Sequence, residues 1–274
     1  MSTILDRIVE QTREDLAKRK RKISFGDLST LPSWEREIRD FAGALRGEDL
    51  AIIAEVKRAS PSKGVIREDF DPVAIAREYT NGGAAAISVL TDMPFFQGKL
   101  EYMEQISREI KLPLLRKDFI IDPYQVKEAR AWGGDALLLI AAILSDAQLE
   151  ELLHAAREYE LHALVECYSD SEVERMNWEQ VRIFGVNNRD LNTFEVDLHR
   201  GVSLLQQSPQ SVIRVSESGL NQPEDLDYLR EQQIDAALIG ESLMREKSPE
   251  EALRYLLTGS KKELRDINRQ KVDK

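Results

Sequence analysis

The stretch Ala51-Ile52-Ile53-Ala54-Glu55-Val56-Lys57 decides how the rest of the chain is read. It is short, almost wholly apolar, and closes on an ionisable residue. A bounded apolar run of that length reads as a buried strand rather than a solvated loop. Pro113-Leu114-Leu115-Arg116-Lys117 and Leu161-His162-Ala163-Leu164-Val165-Glu166 repeat the pattern and also end on a charge. Working outward, candidate strands are Ala51–Lys57, Ala85–Leu90, Leu112–Lys117, Ala136–Ala141, Ala163–Glu166, Ile183–Asn187, Val212–Ser216 and Ala236–Ile239. Amphipathic stretches separate them. Alternation of strand and helix predicts a parallel sheet of βα units, and eight units predict closure into a (β/α)8 TIM barrel. The length of 274 residues is close to the roughly 250 typical of that architecture.

An internal repeat supports the same reading. Glu78-Tyr79-Thr80-Asn81-Gly82-Gly83 leads into the second strand, and Ala131-Trp132-Gly133-Gly134-Asp135 into the fourth. In both, a helix carrying an aromatic residue stops at paired glycines, which supply the left-handed conformation of a helix C-cap. Gln233-Ile234-Asp235 before the eighth strand repeats the idea without glycine. At the start of the chain, Ile4, Leu5, Ile8 and Val9 recur at helical spacing, with Thr3 and Asp6 placed as a capping box. That helix belongs to an N-terminal helical extension, about residues 1–48, lying against the barrel. The basic run Lys18–Lys22 reads as its solvated C-terminus, favoured by the helix dipole. We expect one barrel domain over residues 1–260 and a charged tail, residues 261–274, without function.

Composition narrows the function. Apolar residues make up 42% and charged residues 32%, as in a globular protein with a sizeable core. The net charge of −11 argues against nucleic acid or an acidic membrane as partner. An anionic ligand must then be held by locally placed basic groups and backbone donors. One cysteine, Cys167, suits a reducing compartment. Residues 1–22 have no signal-peptide core and no run reaches transmembrane length, so a cytoplasmic protein is expected. His154, His162 and His199 have no ligand partners at metal spacing, so no metal is expected.

In a β/α barrel the strands' C-terminal ends carry the chemistry. Glu55 and Lys57 stand two residues apart, hence on one face of the first strand. They form either an internal ion pair or part of a site. The second strand is followed by Pro94-Phe95-Phe96-Gln97-Gly98, whose aromatics either wall a flat ligand or anchor the loop. The third strand ends Lys117-Asp118-Phe119, a lysine set against an aspartate, which suits a general acid. The fifth gives Glu166, with Cys167 turned away by alternation. The sixth ends Asn187-Asn188-Arg189, where arginine suits a carboxylate contact. Ser216-Glu217-Ser218-Gly219 and Leu238-Ile239-Gly240-Glu241-Ser242 close the last two strands. Their small residues fit the phosphate site common after strands seven and eight.

Taken in order, these segments resemble the indole-3-glycerol phosphate synthase family of tryptophan biosynthesis. The matching stretches are Ile53–Gly64, Ser88–Asp92 with Phe95-Phe96-Gln97-Gly98, Leu115–Ile120, Gly185–Leu191, Ser216–Gly219 and Leu238–Gly240. The resemblance implies a lyase acting on 1-(2-carboxyphenylamino)-1-deoxyribulose 5-phosphate, with ring closure, decarboxylation and dehydration, and with no cofactor. It implies Lys117 as the acid near the ketone, Glu166 as a base, and either lysine as the acid of dehydration. Glu55, Asn187 and Glu217 would position lysines and substrate hydroxyls. Phe95 and Phe119 would flank the aromatic ring. Ser60, Ser218, Gly219 and Gly240 would cradle phosphate or carboxylate, with Arg189, Leu238 and Glu241 also touching substrate. A monomer binding a phosphorylated, anionic small molecule is expected. Two other readings stay open on the residues alone: a Schiff-base aldolase with Lys117 as nucleophile, and a catalytically idle phosphate-binding barrel.

Overall fold

Eight strands form the closed barrel: β1 (Ala51–Val56), β2 (Ala86–Leu90), β3 (Leu114–Lys117), β4 (Ala136–Ile140), β5 (His162–Cys167), β6 (Ile183–Asn187), β7 (Ile213–Glu217) and β8 (Ala236–Ile239). All neighbours pair in parallel, and β8 closes on β1 through Ala51↔Ala236 to Ala54↔Ile239. The computed structural model describes residues 3–61, 63–190 and 195–259, so the predicted tail at 261–274 lies outside the described residues. The predicted strands are all present, with ends moved by a residue or two. β3 starts at Leu114 because Pro113 has no N–H to enter the ladder; it offers only its carbonyl, to Ile87 N at 3.0 Å. Lys57 falls just beyond β1.

The helices that follow the strands start at strong caps. Asp71 accepts from Val73 N and Ala74 N ahead of Pro72, Asp122 from Tyr124 N ahead of Pro123, and Ser145 forms a capping box with Gln148. Their ends explain the repeat. Gly83 (φ 99°) and Gly133 (φ 86°) are left-handed, and so are Glu160 (φ 59°) and Gln233 (φ 56°). In each case the next residue bonds five back: Ala84 N to Tyr79 O, Gly134 N to Ala129 O, Leu161 N to Ala156 O and Ile234 N to Leu229 O. This is the Schellman ending, and it turns the chain into β2, β4, β5 and β8. Two of the four turns use glycine, and the polar residues at the others tolerate the conformation at some cost.

Side-chain alternation divides the apolar residues into two cores. One lies between strands and helices and includes Ile52, Val56, Ile87, Leu139, Val165 and Cys167. The other fills the barrel with Ile53, Leu115, Leu138, Leu164, Ile183, Val215 and Leu238. The extension plugs both ends of this second core. At the strands' N-terminal end sit Phe41 and Leu45, both fully buried. Buried Asp135 fixes that crossing, accepting from Arg36 Nη2 at 2.6 Å, Arg39 N at 2.8 Å and Leu114 N at 2.8 Å. At the opposite end, helix α1 (Ile4–Lys22) lays Ile8 onto the same core, with Ile4 and Leu5 packed beside it. The Thr3–Asp6 capping box is formed.

The basic end of α1 is more than a solvated terminus. Lys20 Nζ bonds Asp122 Oδ2 at 2.7 Å, and Arg19 Nε lies 3.4 Å from Glu128 Oε1. Glu128 belongs to helix α2 (Pro123–Ala131), following β3. It also meets Arg116 Nη2 at 2.9 Å, and Arg116 is fully buried. Charges so placed are tolerated because each has a partner.

Candidate active site

The period of two that buries Ile53, Leu115 and Leu164 carries Glu55, Lys117 and Glu166 inward at the C-terminal ends of their strands. Asn187 and Glu217 arrive the same way on β6 and β7, paired in register with each other. These five, with Lys57, line a cavity of about 320 Å³ at that end of the barrel.

Lys117 is the hub. Its ammonium donates to Glu166 Oε2 at 3.0 Å and lies 3.3 Å from Glu217 Oε2. Burial alone would push this lysine's pKa down, but the carboxylates of Glu166, Glu217 and Glu55 outweigh it and hold the pKa above its ordinary value. Glu217 is pushed up to about 8, first by burial and then by the charge of Glu166, against the pull of Lys117. Both carboxyl groups face the Lys117 ammonium, and Glu166 makes the shorter contact. Lys57 and Glu55 form the second pair, with Nζ and Oε1 2.6 Å apart.

The expected pairing of Lys117 with Asp118 is absent, because successive residues point to opposite sides of the sheet. Asp118 meets buried Arg116 at 2.8 Å and accepts from Thr91 Oγ1 at 2.6 Å. Cys167 lies in the outer core, where burial pushes its thiol's pKa up.

One end of the cavity is apolar. Phe119 lines it, but Phe95 does not; Phe96 takes that place, its ring 6.2 Å from that of Phe119. Asp92 caps the single turn Met93–Phe96 by accepting from Phe95 N and Phe96 N. Neighbours on a helix lie about 100° apart, so one ring faces the cavity while Phe95 packs into the wall. Ile4, Leu5 and Ile8 of α1 complete this end. Sequence reading missed their role: their spacing marks a buried face but not what it covers.

The other end is polar. Ser60, Arg189, Ser218, Gly219, Leu238, Gly240 and Glu241 all border the cavity. The Ser60 hydroxyl is buried and makes no hydrogen bond to any described residue. Ser218 (φ 70°) and Gly219 (φ 77°) are consecutive left-handed residues; for serine this is uncommon. Arg189 Nη2 lies 3.7 Å from Glu241 Oε2. Among the described residues, no group of three or more His, Cys, Asp or Glu side chains converges as metal ligands would.

A protonated lysine is a proton donor rather than a nucleophile, so the resting arrangement of Lys117 does not favour Schiff-base chemistry. The sequence, compared with protein families, matches the model of indole-3-glycerol phosphate synthase over residues 5–256. The chain belongs to the indole-3-glycerol phosphate synthase family. A synthase from Salinibacter ruber is 52% identical over 262 residues, covering 95% of this chain and 97% of its own. One from Zymomonas mobilis subsp. pomaceae is 46% identical, covering 94% and 99%. Two solved barrels are similar to this chain in fold alone. A 3-hexulose-6-phosphate synthase from Salmonella typhimurium superposes with a TM-score of 0.62 at 10% identity, covering 76% of this chain and 96% of that one. A variant tryptophan synthase alpha-subunit from Pyrococcus furiosus gives 0.60 at 14%, covering 76% and 98%. No described helix is long and apolar enough to cross a membrane.

Proposed function

We propose that this chain converts 1-(2-carboxyphenylamino)-1-deoxyribulose 5-phosphate into indole-3-glycerol phosphate, carbon dioxide and water. The supporting observation is the Lys117 ammonium held between Glu166 and Glu217 in a cavity apolar at one end and polar at the other. The apolar end, with Phe96, Phe119 and the α1 side chains, takes the carboxyphenyl ring. The polar end, with Ser60, Ser218, Gly219 and Gly240, takes the phosphate through its hydroxyl and backbone N–H groups.

Between the two ends the ketone falls near Lys117. The ring carbon bearing the carboxylate attacks the ketone carbon while Lys117 protonates the carbonyl oxygen. Carbon dioxide then leaves, and its bonding electrons restore the aromatic ring. Glu166 takes the proton whose loss forms the new double bond, and a lysine ammonium protonates the departing hydroxyl. We assign that second donation to Lys57, which its 2.6 Å contact with Glu55 holds in place. The electron-rich anilino ring supplies the electron pairs, so the reading calls for no cofactor. All these groups come from one chain, which supports a monomeric enzyme, and the lone cysteine supports a cytoplasmic one.

The test is a mass balance. Substrate labelled in the ring carboxylate should release one labelled carbon dioxide per indole formed. Borohydride added during turnover should leave the protein mass unchanged. A substrate adduct on lysine, or binding without release, would overturn the assignment in favour of an aldolase or an idle barrel.

A further inference from the structure

Gly185 sits inside the barrel on β6, and the space its missing side chain leaves is occupied. A Cβ placed there would fall well inside van der Waals contact with Glu217 Oε1 and 3.0 Å from Leu164 Cδ1. Register explains the crowding. Gly185 pairs with Glu166 on one side and Val215 on the other, while Glu217 pairs with Asn187, one inward position further along. The Glu217 side chain therefore leans back over Gly185. That lean brings its carboxylate beside Glu166 and within 3.3 Å of Lys117 Nζ. The same device recurs at the other lysine. A Cβ on Gly240, which follows β8, would collide with Glu55 Oε1 and stand 3.0 Å from Glu55 Cβ. Each carboxylate partner lies against a backbone that offers no side chain.

We propose that Gly185 is a positioning residue: its bare backbone seats the Glu217 carboxylate between Lys117 and Glu166 and so fixes the spacing of the acid/base pair. The inference rests on the reaction assigned above. A methyl group at 185 drives Glu217 toward the mouth of the cavity, away from Glu166. Glu217 then loses both the burial and the neighbouring Glu166 charge that raise its pKa, and Lys117 loses one of its two close anchors. Leu164 Cδ1 need give only slightly, whereas Glu217 Oε1, the closer contact, must move for the methyl group to fit.

The experiment compares wild type, Gly185→Ala and the double variant Gly185→Ala/Glu217→Asp. In Gly185→Ala, kcat should fall by about 10²-fold, the cost of misplacing a reacting group by about 1 Å. KM should stay within about twofold, because the ring and phosphate ends are untouched. The pH dependence of kcat should move to lower pH than in wild type, because Glu217 leaves the burial and the Glu166 charge that raise its pKa. Shortening residue 217 by one methylene makes room for the methyl group. The double variant should therefore melt at a higher temperature than Gly185→Ala and regain part of kcat. A Gly185→Ala enzyme with wild-type kcat and pH profile would overturn the inference. So would a loss of kcat with an unmoved pH dependence and no gain in the double variant. If Gly185→Ala folds poorly, the melting comparison still decides, since equal melting of single and double variants contradicts the steric relation. Failure of wild type itself to turn over substrate would reject the assigned reaction, and that outcome is read separately from the variants.

Discussion

Lys117 on β3 and Glu166 on β5 meet at 3.0 Å although β4 lies between them. Barrel geometry produces this contact, since inward side chains of one layer come from alternate strands. The intervening strand presents Leu138 and Ile140, which stay in the apolar interior. An acid and a base 49 positions apart in sequence are thereby held in one low-dielectric space.

Replacing Glu166 by Gln keeps its size and removes its charge. As the base of the dehydration step, Glu166→Gln should lower kcat by about 10²–10⁴-fold while leaving substrate affinity nearly unchanged. Steady-state kinetics with a binding titration checks this. Wild-type kcat in the variant would remove Glu166 from the mechanism.

Glu217 gives stability a pH dependence of definite sign. Its pKa in the folded state is about 8, above its ordinary value of 4.5. Between those pH values the folded protein holds a proton that the unfolded chain has released. Its contribution to stability is thus complete below about 4.5 and declines as pH rises toward 8. Urea unfolding of wild type and Glu217→Gln across pH 5–9 tests this. The difference in stability should grow in favour of the variant as pH rises.

Buried Arg116 holds Asp118 and Glu128 together next to the catalytic strand end. Arg116→Ala removes the buried cation from Asp118 and leaves Glu128 only the longer contact with Arg19, which should cost about 3–5 kcal/mol. Denaturant unfolding at pH 7 measures it. A cost below about 1 kcal/mol would show that the cluster does not depend on Arg116.

The two phenylalanines of the Met93–Phe96 turn should separate by function. Phe96→Ala should raise KM several-fold, because its ring borders the cavity. Phe95→Ala should lower the melting temperature and leave KM unchanged, because its ring packs on the barrel core as that of Phe96 does but does not line the cavity. The reverse pattern would place the substrate ring elsewhere.

How much was legible in the sequence depends on the range of the signal. Their place at strand ends marked Lys57, Lys117 and Glu166 as groups facing one space, and alternation put Glu55 on the face of Lys57, because alternation is local and barrel closure is global but regular. Gly83 and Gly133 announced two helix endings, whereas Glu160 and Gln233 adopt the same conformation without a glycine to signal it. The choice between Phe95 and Phe96 turns on the orientation of one helical turn, which composition does not encode. Ile4, Leu5 and Ile8 showed an apolar stripe, but its docking over the barrel mouth is a long-range contact. The pairing of Asp118 with Arg116 rather than Lys117 was available from alternation alone, and adjacency in sequence hid it.

The most direct measurement follows indole fluorescence as wild type and Lys117→Ala are each mixed with 1-(2-carboxyphenylamino)-1-deoxyribulose 5-phosphate. The account predicts turnover by wild type and a fall in kcat of about 10²–10⁴-fold in the variant, with binding retained. Wild type that binds substrate without forming indole, or a variant that keeps its rate, would contradict it.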